Sequence, residues 1–396
     1  NEMDEAWLRS LALQAEYLSH RVEWHLLGNH VFENARALVM AGLFFDGPRA
    51  ERWLCKGLRI LDGQLKEQIL EDGGHFELSP MYHSLVLEGL LDLIQLSEHY
   101  ERNRDRMAAW REIAEKMLVW LDTMSHPDGQ ISFFNDAAFD IALTPRALFD
   151  YGKRLRVPSP EIVGRERVAL LEESGYIRAQ RGSFFLLVDV GHVGPDHQPG
   201  HAHADTLSFE LSVSGNRVLV NSGTSVYGMG CERARQRGTT AHNTLVVDNQ
   251  DSSEVWAGFR VARRARTFGL SVRGVGDQWL VQASHDGYFR FKPPVTHQRT
   301  FFLDNDTLVV KDVLEGLFEY AEAYLHFHPD MEVMLGSSAG RIRDRSGNHV
   351  GTLAAETELK LVKSTWHPEF GGSVESSCVI VPMREGGTTF SFSRAM

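Results

Sequence analysis

Cysteine is scarce in this 396-residue chain. The three residues, Cys55, Cys231 and Cys378, are far apart and odd in number. They exclude a disulfide framework, and no CxxC pair offers a metal or redox spacing. Long apolar runs are also missing; none reaches the roughly 18 residues of a membrane span. No nucleotide, flavin or phosphate loop is present, because the GVG at 274–276 lacks a strand–turn–helix context. Basic residues are outnumbered, 41 Lys and Arg against 53 Asp and Glu, for a net charge of −12. That balance argues against non-specific binding of nucleic acid. The first residue is Asn rather than Met and no signal-peptide pattern precedes it, so a processed or trimmed form is expected. The remainder is globular in character: 43% hydrophobic and 24% charged residues exclude a disordered, collagen-like or coiled-coil chain. The length favours two domains.

The chain changes character near residues 156–183. Before that point apolar residues recur with helical spacing, as in Trp110, Ile113, Met117 and Leu121. The spacing predicts six helices, near 4–24, 29–45, 48–70, 80–99, 105–124 and 143–155. Breakers such as Asp46-Gly47-Pro48 and Asp72-Gly73-Gly74 separate them. After residue 183 the period becomes that of strands: 183–190, 207–213, 218–220, 244–247, 279–283, 299–303, 307–312, 323–328, 359–364 and 379–383. Gly215-Asn216 and Asp304-Asn305-Asp306 read as hairpin turns. Helices followed by strands, without alternation, predict an α+β chain: a helical array over 1–160 and a large antiparallel β-sandwich over 161–396. The link lies within Val157–Glu172.

Four clusters carry chemistry. In Gly28-Asn29-His30-Val31-Phe32-Glu33-Asn34, a helix start, His30 and Glu33 share a face. The plain alternative is that Asn29 caps the helix and Glu33 supports its first turn. The run from Asp72 to His83 delivers His75, Glu77 and Tyr82 from a glycine-rich loop to the next helix start; alternatively Ser79 caps, Pro80 opens the helix and the tyrosine packs. His201-Ala202-His203-Ala204-Asp205 leads into a strand, and period two would set His201, His203 and Asp205 on one face. The fourth cluster joins Asn221, Tyr227 in a glycine-flanked loop, and His242. Seven arginines fall between 233 and 266, Arg233 and Arg237 among them. A local positive zone suits an anionic ligand; alternatively these arginines pair with nearby acids.

Together GNHVFENA, DGGHFELSPMYH, HAHADTLSFELS, NSGTSVYG and RGTTAHNTLVVD, in that order, resemble the heparinase II/III-like group of polysaccharide lyases, which is similar to certain alginate lyases. HDGY at 285–288, His297 and Arg299 fit as well. The resemblance implies an (α/α) helical toroid followed by an antiparallel β-sandwich. Six helices are fewer than such a toroid usually has, so an N-terminal part of it is expected to be missing. It implies β-elimination beside a uronic acid, with an anionic uronate polysaccharide as partner: heparan-sulfate-like, alginate-like or a bacterial exopolysaccharide. By the same resemblance Asn29 and His30 contact the uronate carboxylate, Glu33 supports His30, Tyr82 transfers a proton, His201 is catalytic and Tyr227 is a second tyrosine. His75, Glu77, Arg233 and Arg237 are expected to bind substrate. Several relatives hold a structural metal, usually zinc. His203 and His242 match its histidines, but Asn221 stands at the aspartate position, and an uncharged amide is a poor zinc ligand. No other cofactor is implied. A periplasmic or secreted location fits the substrate. Two other classes remain open: a glycoside hydrolase using Glu33 and Glu77, and a non-catalytic polysaccharide-binding or exopolysaccharide-processing protein.

Overall fold

A computed structural model describes residues 4–158, 167–384 and 386–395. The chain divides into two compact units. One comprises Asn1–Glu77, Tyr82–Asp122 and Ala142–Glu161; the other comprises Leu78–Met81, Thr123–Ile141 and Ile162–Met396. The expected boundary at 160/161 did not anticipate that Thr123–Ile141 groups with the strands.

The first unit holds α1 (Glu5–His20), α2 (Gly28–Phe44), α3 (Pro48–Gln68), all but the first two residues of α4 (Pro80–His99), all but the last residue of α5 (Arg104–Thr123), and α6 (Pro145–Arg154). Local chemistry explains their starts. The Asp4 carboxylate accepts the Ala6 N–H at 2.9 Å and caps α1, and the Thr144 hydroxyl caps α6. Pro48, Pro80 and Pro145 open their helices, where a missing N–H costs nothing. In contrast, α2 has no side-chain cap: Leu27 stands before it at φ 61° and Asn29 lies inside the first turn, so the capping role open to Asn29 is not the one it has. Among the described residues no helix is long and apolar enough to cross a membrane.

The second unit contains β1 (Arg167–Leu171), β2 (Tyr176–Arg181), β3 (Phe184–Asp189), β4 (Phe209–Val213) and β5 (Asn216–Leu219). Next come α7 (Cys231–Arg237), β6 (Leu245–Val247), β7 (Val255–Trp256), β8 (Arg260–Val261), β9 (Thr267–Val275), β10 (Gln278–Tyr288) and β11 (Val295–Leu303). The chain then forms β12 (Thr307–Glu315), β13 (Ala321–Phe327), β14 (Met331–Leu335), β15 (Ala339–Asp344) and β16 (His349–Ala355). It ends in β17 (Lys360–Trp366), β18 (Val374–Pro382) and β19 (Thr388–Arg394). One sheet has the order β1-β2-β3-β4-β5-β13-β18-β17, with β6 also on β13; the other runs β14-β15-β16-β19-β12-β11-β10-β9. A single apolar core takes side chains from both sheets: Phe209, Leu211 and Leu325 from the first, Phe301, Val310 and Phe392 from the second. Phe209 meets Phe301 edge-on with centroids 5.4 Å apart.

Every strand anticipated from the sequence overlaps an observed one. The β4–β5 turn is centred on Ser214 and Gly215, both at positive φ, one residue earlier than expected. Asp304 makes the β11–β12 turn by accepting the N–H groups of Asp306 and Thr307 at 2.8 and 2.7 Å. The strands that went unseen include β9, which is exposed along most of its length and so shows no apolar alternation. Residues 159–166 of the expected link lie outside the described residues; β1 begins directly after them.

Candidate functional site

In the strand unit the site is organised by a buried carboxylate that the sequence reading missed, Asp136. It is fully enclosed and accepts five donors. Arg233 grips it with both terminal nitrogens, Nη2 to Oδ2 at 2.7 Å and Nη1 to Oδ1. His201 Nδ1 lies 2.9 Å from Oδ2 and His203 Nε2 lies 2.9 Å from Oδ1. The Thr224 hydroxyl adds a bond to Oδ1 at 3.1 Å. Burial by itself would raise the Asp136 pKa; the Arg233 charge and the two imidazole donors outweigh it and hold the carboxyl well below its usual range.

The His201–Asp205 segment is not a strand. It is a loop that ends in a turn, Ser208 N–H to the Asp205 carbonyl, before β4 begins at Phe209. The period-two expectation therefore placed the two histidines together for the wrong geometric reason. Asp205 does not join them. It accepts the Asn135 N–H at 3.4 Å, and burial pushes its pKa up to about 6. The Asn135 side-chain carbonyl accepts the His203 N–H at 3.1 Å, and its backbone sits at φ 57°, a conformation asparagine tolerates.

His201 keeps a small part of its side chain open. Beside it, the half-buried Tyr227 ring lies with its centroid 6.1 Å from the imidazole. The Arg233 guanidinium sits 5.0 Å from the Tyr227 centroid and 5.4 Å from that of Phe259, so a single cation supports both the carboxylate and the aromatic wall. Thus Arg233 does not face a ligand as expected. Arg237 is also fully buried, and its guanidinium donates to the carbonyls of Ala202, Ala257 and Arg260. Three other arginines of the same zone pair with acids: Arg235 with Glu232, Arg263 with Glu254 and Arg264 with Asp196. The zone is chiefly internal pairing, which is the plainer of the two readings.

Behind His203 lies His242, its Nε2 3.2 Å from His203 Nδ1. Burial keeps both imidazoles neutral, His203 at about 4 and His242 well below its ordinary value. With Asp136 taking the Nε2 proton of His203, the His203 Nδ1 accepts from His242. Asn221 does not complete a metal set. Its side-chain carbonyl accepts the Asn243 N–H at 3.3 Å, and its own N–H goes to Glu210. Among the described residues no three His, Cys, Asp or Glu side chains are grouped to hold a metal ion. Asn221 offers an uncharged amide where zinc prefers a carboxylate, and the chemistry proposed below uses no metal. The same connectivity recurs deeper in the sandwich. Arg299 binds both oxygens of Asp312, Asp312 accepts from His297 Nε2 at 2.7 Å, and His297 Nδ1 meets His285 Nε2 at 3.0 Å.

In the helical unit, Asn29, His30 and Glu33 occupy the first turns of α2. Asn29 is half-buried, and its amide has no hydrogen bond among the described residues. His30 is half-exposed, but its carboxylate neighbour is Glu23, 3.5 Å from Nδ1. Glu33 instead pairs with Arg36 at 2.9 Å, so the expected support of His30 by Glu33 is replaced by Glu23. His75 and Glu77 are buried, with His75 Nδ1 3.8 Å from Glu77. His75 serves the scaffold: its Nε2 meets Gln68 Oε1 at 2.9 Å, and Gln68 Nε2 donates to the Gly28 carbonyl at 2.8 Å. The His75 N–H in turn donates to His83 Nδ1, and His83 Nε2 donates to the Met117 carbonyl at 2.9 Å. One polar chain thereby ties α2, α3, α4 and α5. Tyr82 lies in the first turn of α4 and is about nine-tenths buried.

Comparison with known proteins agrees with this architecture. Residues 163–393 match the family model described as heparinase II/III-like, C-terminal, and residues 2–148 match the heparinase II/III N-terminus. A heparin-sulfate lyase of Bacteroides stercoris is 24% identical over 327 residues, covering 75% of this chain and 46% of the relative. FtsZ-localized protein C of Caulobacter vibrioides is 26% identical over 360 residues, covering 84% of this chain and 59% of the relative. The chain thus spans about half the length of these curated relatives. Among solved structures, heparan sulfate lyase HepC from Pedobacter heparinus aligns with a TM-score of 0.73 at 19% identity, covering 98% of this chain and 63% of that one.

Proposed function

This chain belongs to the heparinase II/III-like family, and from that premise we propose that it is a polysaccharide lyase acting on an anionic uronate polymer. The reaction is β-elimination. A base removes the C5 proton, the electron pair forms the C4=C5 double bond, the C4–O bond breaks, and an acid returns a proton to the leaving oxygen. The helical unit is read as an incomplete (α/α) toroid, and the setting as periplasmic or secreted.

The observation that carries the reading is the mounting of His201. Its Nδ1–H is held by a buried carboxylate, its Nε2 is the basic nitrogen, and a tyrosine ring lies alongside. A proton beside an ionised carboxylate is very weakly acidic, so the enolate-like charge needs stabilising as it forms. Asn29 and His30 are suited to stabilise it, since both offer donors at the N-terminal end of α2, where the helix dipole favours negative charge. His201 or Tyr82 takes the C5 proton, and Tyr82 or Tyr227 serves as acid; the choice depends on whether proton and leaving group share a face of the sugar.

The test is incubation with a panel of uronate polysaccharides, reading the ultraviolet absorbance of the conjugated double bond. Wild type is expected to give signal. His201→Ala and Tyr82→Phe are expected to abolish it with the fold retained. Asn29→Ala should lower kcat on the order of 100- to 1000-fold, the usual loss for one such donor. New reducing ends without a double bond would replace elimination by hydrolysis. Binding without either product would leave a polysaccharide-binding protein.

A further inference from the structure

We propose that Asp136 is the positioning residue for His201, setting which imidazole nitrogen carries the proton and where the other points. The inference rests on the lyase reading above and adds to it a residue outside the sequence motifs. Asp136 is fully buried and so contacts no polymer itself; it acts through the histidine.

The geometry argues for a carboxylate there and nothing else. Two imidazole N–H groups, two guanidinium N–H groups and one hydroxyl converge on its oxygens. An ionised carboxylate is acceptor-only, with about four lone-pair sites, so this number of donors saturates it. An amide of the same shape turns one half into a donor and confronts an N–H group with another N–H group, whichever way it is placed. Among the described residues Oδ2 receives His201 and Arg233, while Oδ1 receives His203, Thr224 and the second arm of Arg233. The two histidines therefore have separate oxygens, and Arg233 locks the carboxylate plane between them. His201 is thereby held with a proton on Nδ1, which leaves Nε2 as its basic nitrogen. Arg233 also balances the buried charge, so removing the carboxylate alone would strand a cation in the interior.

The experiment compares wild type with Asp136→Asn by steady-state kinetics on the most active polysaccharide of the panel and by nitrogen-15 NMR of histidine-labelled protein. Loss of a signal in His201→Gln assigns His201. Wild-type His201 should show a protonated Nδ1 and an unprotonated Nε2. In Asp136→Asn the proton should move to Nε2 in a large share of molecules. kcat should fall on the order of 100- to 10,000-fold with KM little changed, the behaviour of a histidine held in the wrong tautomer. If Asp136→Asn fails to fold, the double variant Asp136→Asn with Arg233→Met removes the stranded charge and is read in the same way. An unchanged His201 tautomer, or a raised KM at unchanged kcat, would overturn the proposal. A wild type that gives no unsaturated product from any polymer would instead overturn the lyase reading, and the NMR comparison would still decide what Asp136 does to His201.

Discussion

His83 should make the protein measurably acid-sensitive. Its ring is fully buried and stacked on Trp120, with centroids 4.3 Å apart. Nε2 donates to the Met117 carbonyl, and Nδ1 accepts the His75 N–H at 3.3 Å. A second ring proton would sit against that N–H in a site closed to solvent. Burial lowers the His83 pKa to about 3, with the Met117 carbonyl only partly opposing it. The unfolded chain protonates near pH 6.5. Because the folded value is the lower, the contribution is complete above about pH 6.5 and is lost as the pH falls from there toward 3. Between pH 7.5 and 5 the unfolded state gains about 2 kcal/mol from protonating this one ring, while the folded state gains almost nothing. His83→Gln cannot take that proton. The stability difference between wild type and His83→Gln, from urea unfolding at both pH values, should therefore shift by about 2 kcal/mol in favour of the variant on acidification. The two curves moving in parallel would refute the reasoning, because the other buried histidines are common to both proteins.

Gly223 has φ 76°, and a Cβ there would lie 2.3 Å from the His367 carbonyl oxygen and 2.9 Å from the Phe133 ring. Gly223→Ala should displace the loop carrying Thr224 and Tyr227, costing about 1–3 kcal/mol in denaturant titration together with most of the activity; unaltered melting would contradict the contact. Arg299→Met leaves Asp312 buried without its cation and should destabilise the protein by about 3–5 kcal/mol, whereas the paired replacement Arg299→Met with Asp312→Leu should recover much of that in the same assay.

Much of the fold could be read from the sequence because local chemistry and tertiary packing agree. Pro48, Pro80 and Pro145 mark helix starts, and Trp110, Met117 and Leu121 of the apolar stripe are buried, with Ile113 half-buried. The histidines of the candidate site were visible as an H-x-H pair. Their partner was not, because Asp136 lies in a loop without period. A signal was nonetheless present: a carboxylate within Phe133-Phe134-Asn135-Asp136-Ala137-Ala138-Phe139 is surrounded by residues that seek the interior, so it requires an internal cation. Asp312 carries a comparable mark. It falls on the inward side of β12 with Leu308, Val310 and Leu314, where a leucine or valine would be ordinary. The arginines misled for the opposite reason. Composition counts charges without showing which are turned inward, and Arg233 and Arg237 are turned wholly inward.

The polar chain from the Gly28 carbonyl through Gln68, His75 and His83 to Met117 also has a dynamic consequence. Helix ends ordinarily fray independently, each opening at the cost of its own few hydrogen bonds. Here the first turn of α2, which carries Asn29 and His30, is fastened through Gln68 to the end of α3 and onward to α4 and α5. Opening that turn strains buried bonds in three other helices, so the turn that presents Asn29 and His30 is expected to open with the interior rather than to fray by itself.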